Sequence, residues 1–247
     1  MRPPAETARN PEGQRAGPVS RPRGSGTGMV DGGSVAVAAV DVRIVLFTIA
    51  DGSLRVALDD RGARPRLPRS APVPSASLDA EARRIIRETT GVREHYLEQL
   101  YTLNARDGSG WAVIVSYLGL IRSGADAPPG TGDDWHPVAE IPTIGETDAR
   151  VIDYAVLRLR AKLGYTTIAF HLLPATFTLS ELQGAYEAIL GRTLDKRNFR
   201  RRVIAAAILE PTGAQRRDGS HRPALLYRAR ATDDRETFLT PTWAEKV

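Results

Sequence analysis

The sequence of 247 residues contains no cysteine. That excludes disulfides, thiolate metal sites and thiol nucleophiles together. Histidine is scarce as well, since the four residues His95, His136, His171 and His221 are scattered without metal-ligand spacing. A histidine-rich metal centre is not expected. No apolar run approaches the roughly 20 residues of a membrane span, and the arginine-bearing N-terminus lacks the apolar stretch of a signal peptide. The expected compartment is therefore the cytoplasm, with no membrane partner. What is present is a 42% hydrophobic composition, ordinary for a chain that buries a real core.

Acidic residues are lacking in one region in particular. Residues 192 to 230 hold eleven Lys/Arg against three Asp/Glu, whereas the whole chain carries only +5. A basic block on a slightly acidic body points to a polyanion partner engaged by that block. The opening "MRPPAETARNPEGQRAGPVSRPRGSGTG" is dense in Pro, Gly, Arg and Ser, and it buries too little apolar surface to offset the entropy of ordering. A disordered tail is expected there.

From Val35 the chain turns apolar and β-branched, and Asp51-Gly52 splits two runs as a hairpin signal. A helix is predicted over roughly 79–90 and a buried strand over 111–121. Trp111 and Trp135 are expected in the core, while Trp243 suggests no function. Residues 147 to 163 place Val151, Ile152, Ala155, Val156, Leu159 and Leu163 on one helical face, with Gly164 as the stop. In "FTLSELQGAYEAILG", Thr178 and Glu181 form a capping box. In "TLDKRNFRRRVIAAAI", Asp195 is an N-cap and Phe199, Val203 and Ala206 share a face. Arg197 and Arg201 then point away from that face, with Arg200 beside them and Arg202 snorkelling at the apolar edge. Two short strands flank a basic Gly-containing loop after Ile208. Two helices, a short turn and a basic hairpin describe a winged helix-turn-helix.

The stretch "SLDAEARRIIRETTGV" resembles the Nudix box, Gly-x5-Glu-x7-Arg-Glu-U-x-Glu-Glu-x-Gly-U, where U is a bulky aliphatic residue. Anchored on Gly91 and Val92, the alignment keeps Arg84, Ile86 and Glu88. It puts Ser70 on the box glycine, Ala76 on the first glutamate, Ile85 on the glutamate after the arginine and Thr89 on the last. One carboxylate cannot hold the Mg²⁺ or Mn²⁺ that such hydrolysis needs. The expectation is no catalytic residue, no metal, and Glu88 either solvated or paired with Arg84 at the surface. Asp79, Glu81, Glu94 and Glu98 lie off the box pattern.

Taken together with "LEQLYTL", "WHPVAEIP", "RPALLYR" and "RLRAKLGYTTIAFHLLPATFTLSELQGAYEAILGRTLDKRNFRRRV", the chain resembles the Nudix-related transcriptional regulators of NAD metabolism. The likeness runs from about Val35 to Arg230 and is most specific over Leu157 to Val203. It implies an α/β fold, a Nudix-like α/β/α sandwich with a mixed sheet, followed by a C-terminal winged helix-turn-helix domain. The expected divisions are a tail (1–33), a degenerate Nudix-like domain (34–145), a linker helix (146–165), the winged helix (166–232) and a C-terminal tail (233–247). The resemblance further implies a homodimeric repressor on double-stranded DNA, controlling genes of NAD or sugar metabolism, with a nucleotide effector such as ADP-ribose. Arg197 and Arg201 are assigned to bases, and Lys196, Arg200, Arg216 and Arg217 to phosphates. Departures fall in the sensing half: "DDRGARPRLPRS" precedes the box, and the family's Asp-His-Ala-Glu phrase reads "TDAR" at 147–150. A purely structural dimerisation domain stands beside the effector reading. Two further alternatives are a Nudix hydrolase with metal ligands outside the box, and a winged helix that binds RNA or protein.

Overall fold

The structure, a computed structural model, describes residues 39–93, 96–107, 110–122, 134–217 and 223–230. Both tails, and with them Trp243, His95 and His221, lie outside the described residues. Strands β1 (Ala39–Ala50) and β2 (Ser53–Ala57) form the expected hairpin. Its two-residue turn has Asp51 at φ 50° and Gly52 at φ 71°, the left-handed pair that matches strand twist and that Asp-Gly tolerates. After the short β3 (Arg69–Ser70) comes α1 (Leu78–Thr90), capped by Ser77, which accepts from Ala80 N, and stopped by Gly91 at φ 73°. Then follow β4 (Tyr96–Asp107), β5 (Gly110–Leu120) and β6 (Trp135–Pro137).

The sheet runs β4-β5-β1-β2-β6, with β3 on β1. β1 and β5 are parallel and the other pairs antiparallel, so the sheet is mixed. Period-two alternation along β1 sends Ile44 and Leu46 to one face and Val45 and Phe47 to the other. On the first face they meet Ala82, Ile85 and Ile86 of α1. On the second they meet Val151, Ile152, Ala155 and Leu159 of α2 (Glu146–Leu163). Helices on opposite faces of one sheet give the α/β/α sandwich.

The second core continues past α2 without a break. Leu182, Tyr186 and Ile189 of α3 (Leu179–Leu190), Phe199 and Val203 of α4 (Lys196–Ala205), and Leu209 at the start of β7 (Leu209–Arg216) belong to the same buried cluster. β8 (Ala224–Ala229) pairs antiparallel with β7, and a bridge between Phe177 and Tyr227 pins the hairpin to the start of α3. Helix, turn, helix and wing are therefore packed on the body by apolar contact. Trp135 is buried as expected, but Trp111 is 60% exposed. It opens β5 opposite Arg106 near the β4-β5 hairpin end, where neither helix covers the sheet.

Candidate nucleic-acid interface

Asp195 accepts from Asn198 N at 2.7 Å and starts α4; such a cap is worth about 1 kcal/mol. Phe199 and Val203 bury the inner face, with the Phe199 ring edge-on to Tyr186 at 5.3 Å. That contact fixes the roll of the helix. Lys196, Arg197 and Arg201 are consequently exposed. Among the described residues Lys196, Arg197 and Arg217 form no ion pair or side-chain hydrogen bond, while Arg201 Nη2 donates to Asn198 Oδ1 at 2.9 Å. Asn198 thus steadies an arginine as well as sitting in the cap.

Arg200 is half-buried and donates from Nη2 to Ser180 Oγ at 3.2 Å, while its Nε is buried without a partner. Arg202 is half-buried as well, but its Nη1 is buried without a partner, so part of the guanidinium is withdrawn from water where snorkelling would keep it solvated. Arg216, assigned to phosphates, lines the same basic surface and is also held from within. It pairs with Glu181 at 2.6 Å, and Glu181 also accepts from Thr178 N at 2.7 Å in the predicted capping box. Burial raises the Glu181 carboxyl, but the Thr178 backbone and Arg216 hold it below the ordinary carboxylate range. Arg216 therefore clamps the wing to α3. Between α3, α4 and the wing lies a cavity of about 670 Å³ lined by Ser180, Lys196, Arg200, Arg216 and Tyr227, among others. Its charged lining is entirely basic.

The box helix carries the second site. Arg84 donates to Glu81 at 2.5 Å, to both Glu88 oxygens at 2.7 Å and to Ser70 Oγ at 2.9 Å. Glu81 is 1% exposed and Arg84 holds its carboxyl below the usual range against the opposing effect of burial. Glu88 is the expected surface partner of Arg84. Glu81 was not evident from the box pattern, although Glu81-Arg84-Glu88 has the i, i+3 and i, i+4 spacings of helical ion pairs. Ile85 is buried in the sheet core. The donor set does not fit Mg²⁺ or Mn²⁺: both glutamates are committed to one guanidinium, and the positions of Ala76 and Ile85 offer no side-chain oxygen. Among the described residues no cluster of three metal-ligating side chains occurs. A smaller cavity of about 320 Å³ remains beside this helix, lined by Asp59, Arg61, Arg69, Ser70 and Glu88 among others.

α2 connects the two sites. Near its start Asp148 pairs with buried Arg43 at 2.6 Å and accepts from Leu67 N at 3.1 Å. Leu67 lies two residues from Arg69 in the wall of the smaller cavity. Near its end Lys162, itself buried, pairs with Glu98 at 2.5 Å, and Arg158 pairs with the same carboxylate at 2.8 Å. Burial raises Glu98, but Lys162, Tyr96 and Arg158 bring it below the ordinary value. Arg160 Nε donates to Ile189 O at 2.9 Å and so reaches α3.

Among the described residues no helix is long and apolar enough to cross a membrane. Residues 169–229 match the family described as the NrtR DNA-binding winged helix domain. The chain is 34% identical over 202 residues to the ADPR responsive transcriptional repressor NtrR of Acinetobacter baylyi, covering 76% of this chain and 80% of that one. It is similar to the crystal structure of Shewanella oneidensis NrtR complexed with a 27mer DNA, with a TM-score of 0.67, 32% identity, and 77% and 93% of the two chains covered. A MutT/nudix family protein from Enterococcus faecalis shares the fold, at a TM-score of 0.61 and 21% identity over 80% of this chain and 90% of that one. The sandwich with its decayed box, the basic helix and wing, and these likenesses together show that the chain belongs to the NrtR family, Nudix-related transcriptional regulators with a C-terminal DNA-binding winged helix.

Proposed function

We propose that this chain is a repressor that binds its operator through α4 and the wing and is released by a nucleotide effector of the ADP-ribose type. The carrying observation is α4 itself: its inner face is locked by Phe199 and Val203, and Arg197 presents an exposed guanidinium with no described partner. Arg197 and Arg201 read base edges, since guanidinium matches guanine O6 and N7 in the major groove. Lys196, Arg200 and Arg217 neutralise phosphates. Arg216 serves the same surface by holding the wing in place. The resemblance to regulators of NAD metabolism makes genes of NAD or sugar metabolism the expected targets.

The sandwich acts as sensor and not as hydrolase. Support for the sensor reading comes from the Acinetobacter baylyi relative, described as ADPR responsive, and from Arg61 and Arg69 lining the smaller cavity, where they would meet a diphosphate. Support against hydrolysis is the box helix itself, whose Glu81 and Glu88 are committed to Arg84 and whose Ile85 offers no side-chain oxygen. The proposed divisions are those expected: 34–145 sensor, 146–165 linker helix, 166–232 DNA-binding domain. The deciding experiment is selection of bound duplexes from a random pool at about 0.15 M salt, where added salt has weakened non-specific phosphate binding. An enriched palindrome supports the reading. Retention with no enriched sequence would reduce α4 to a general polyanion face.

A further inference from the structure

The outward face of α4 does not end at its arginines. At about 100° per residue, Ile204 falls about 20° from Arg197 and about 60° from Arg201 around the helix axis, so the three share the side opposite Phe199 and Val203. Ile204 is 58% exposed, and Ala205 beside it is exposed as well. Isolated exposed aliphatic residues are ordinary on a protein surface; what marks Ile204 is its place on the face that the DNA-binding reading turns into the groove. Positions 197, 201 and 204 are spaced i, i+4 and i+7, which are among the intervals at which a homeodomain helix presents its base-reading side chains.

An aliphatic side chain in that place has one partner in the groove. Of the groups that distinguish base pairs there, only the 5-methyl of thymine is apolar, the others being hydrogen-bond donors and acceptors that isoleucine cannot satisfy. The spacing along the helix fits a neighbouring base pair: Ile204 lies roughly 4.5 Å along the axis beyond Arg201, against a base-pair rise of about 3.4 Å. The side chain is also held ready for contact. Ile204 O accepts from Ala207 N at 3.1 Å in the closing turn, and Ala207 takes φ 53°, which ends the helix just past the isoleucine. β-Branching leaves Ile204 one favoured χ1 rotamer in a helix, so little side-chain freedom is lost on docking.

We propose that Ile204 is a specificity-determining residue, packing on the 5-methyl group of a thymine about one base step from the pair read by Arg201. The proposal rests on the DNA-binding reading and deepens it: Arg197 and Arg201 select guanine by hydrogen bonds, and Ile204 selects thymine by taking its methyl out of water. A protein surface covering Ile204 would have to accommodate Arg197, Arg200 and Arg201 around it, whereas a duplex supplies the negative charge for all three. The two kinds of contact differ in their response to salt. Phosphate contacts weaken as salt rises, while the methyl contact carries no charge.

The test uses the full chain and the sequences enriched in the duplex selection. Each enriched thymine is replaced in turn by deoxyuridine, which removes the 5-methyl and leaves every hydrogen-bonding group, and the affinities of wild type and Ile204→Ala are read by fluorescence anisotropy. At one position wild type is expected to prefer thymine about fourfold, the effect of one buried methyl. Ile204→Ala is expected to bind both duplexes alike, with no loss of melting temperature because the side chain is mostly exposed. Raising the salt should weaken every complex and leave the wild-type preference in place. Equal affinity of wild type for thymine and deoxyuridine at every position overturns the proposal and leaves the DNA-binding reading standing. A preference that survives in Ile204→Ala overturns it too, because another side chain then holds the methyl. Selection with no enriched sequence would sink the DNA-binding reading itself, and this inference with it.

Discussion

Replacing Arg197 with alanine removes a guanidinium that forms no hydrogen bond or ion pair with a described residue, so the free protein should lose almost nothing. Its melting temperature is expected to stay within the range of a neutral surface change, about 0.5 kcal/mol either way. The loss appears on the operator. One bidentate arginine–guanine contact is worth ~1–3 kcal/mol, or about 5- to 150-fold in affinity. In a symmetric dimer both half-sites lose it, and the effect on the full operator doubles in free energy. Arg201→Ala should cost less. Arg201 already donates to Asn198 Oδ1 at 2.9 Å, and giving up a hydrogen bond of about 1 kcal/mol offsets part of what a base contact returns.

Fluorescence anisotropy against the selected duplex and a scrambled one at several salt concentrations separates these roles. Arg197→Ala should weaken the selected duplex far more than the scrambled one. Lys196→Ala should weaken both alike and lower the salt slope by about 1. If Arg197→Ala weakens both duplexes equally, Arg197 is a phosphate contact; if it weakens neither, α4 does not enter the groove in the orientation set by Phe199 and Val203.

Two further outcomes follow from the body of the protein. Glu98→Gln leaves Lys162 buried without its carboxylate, and loss of one partner of a buried pair costs about 3–5 kcal/mol, although Glu98 is partly exposed and the lower figure applies; urea melts should show it. Because Glu98 titrates below its ordinary value when folded, its contribution is present above the unfolded carboxylate pKa and fades as pH falls through the folded one, so the difference between wild type and Glu98→Gln should narrow in acid. Incubation with ADP-ribose and Mg²⁺ should give no AMP and ribose 5-phosphate at enzyme rates, and steady release of both would refute the argument from the committed glutamates.

Arg84 gives the box helix its persistence without chemistry. In a working hydrolase the carboxylates of such a helix face a cation; here a guanidinium sits between Glu81 and Glu88 and supplies the positive charge permanently. Ile85 then joins Ile86 in the core beneath the sheet. The helix still closes one wall of a cavity, and Asp148 ties the opposite part of that wall, through Leu67 N, to the start of α2. A ligand contacting Arg69 would therefore act two residues from a hydrogen bond made by the helix that leads to the winged domain. Geometry of this kind needs no cleavage to pass a signal.

The parts of this molecule that were legible in sequence are those governed by local rules. The Asp51-Gly52 turn, the Thr178–Glu181 capping box, the Asp195 cap and the outward roll of Arg197 each depend on residues within one or two turns of chain, and each takes the expected form. What was not legible joins distant segments. Arg216 reads as a wing cation, but its partner Glu181 lies 35 positions earlier, and only the packing of the β7-β8 wing on α3 brings the two to 2.6 Å. Trp111 sits in a run whose apolar character promised burial, yet the first residues of β5 pair with the far end of an edge strand beyond the reach of either helix. Glu81 falls outside the box pattern because the pattern marks cation ligands, and its task here is to hold Arg84. Asp148 is the sharpest case: it appeared as a departure from a family phrase, whereas its carboxylate joins Arg43 on β1 to the backbone before β3, a role that no periodicity encodes.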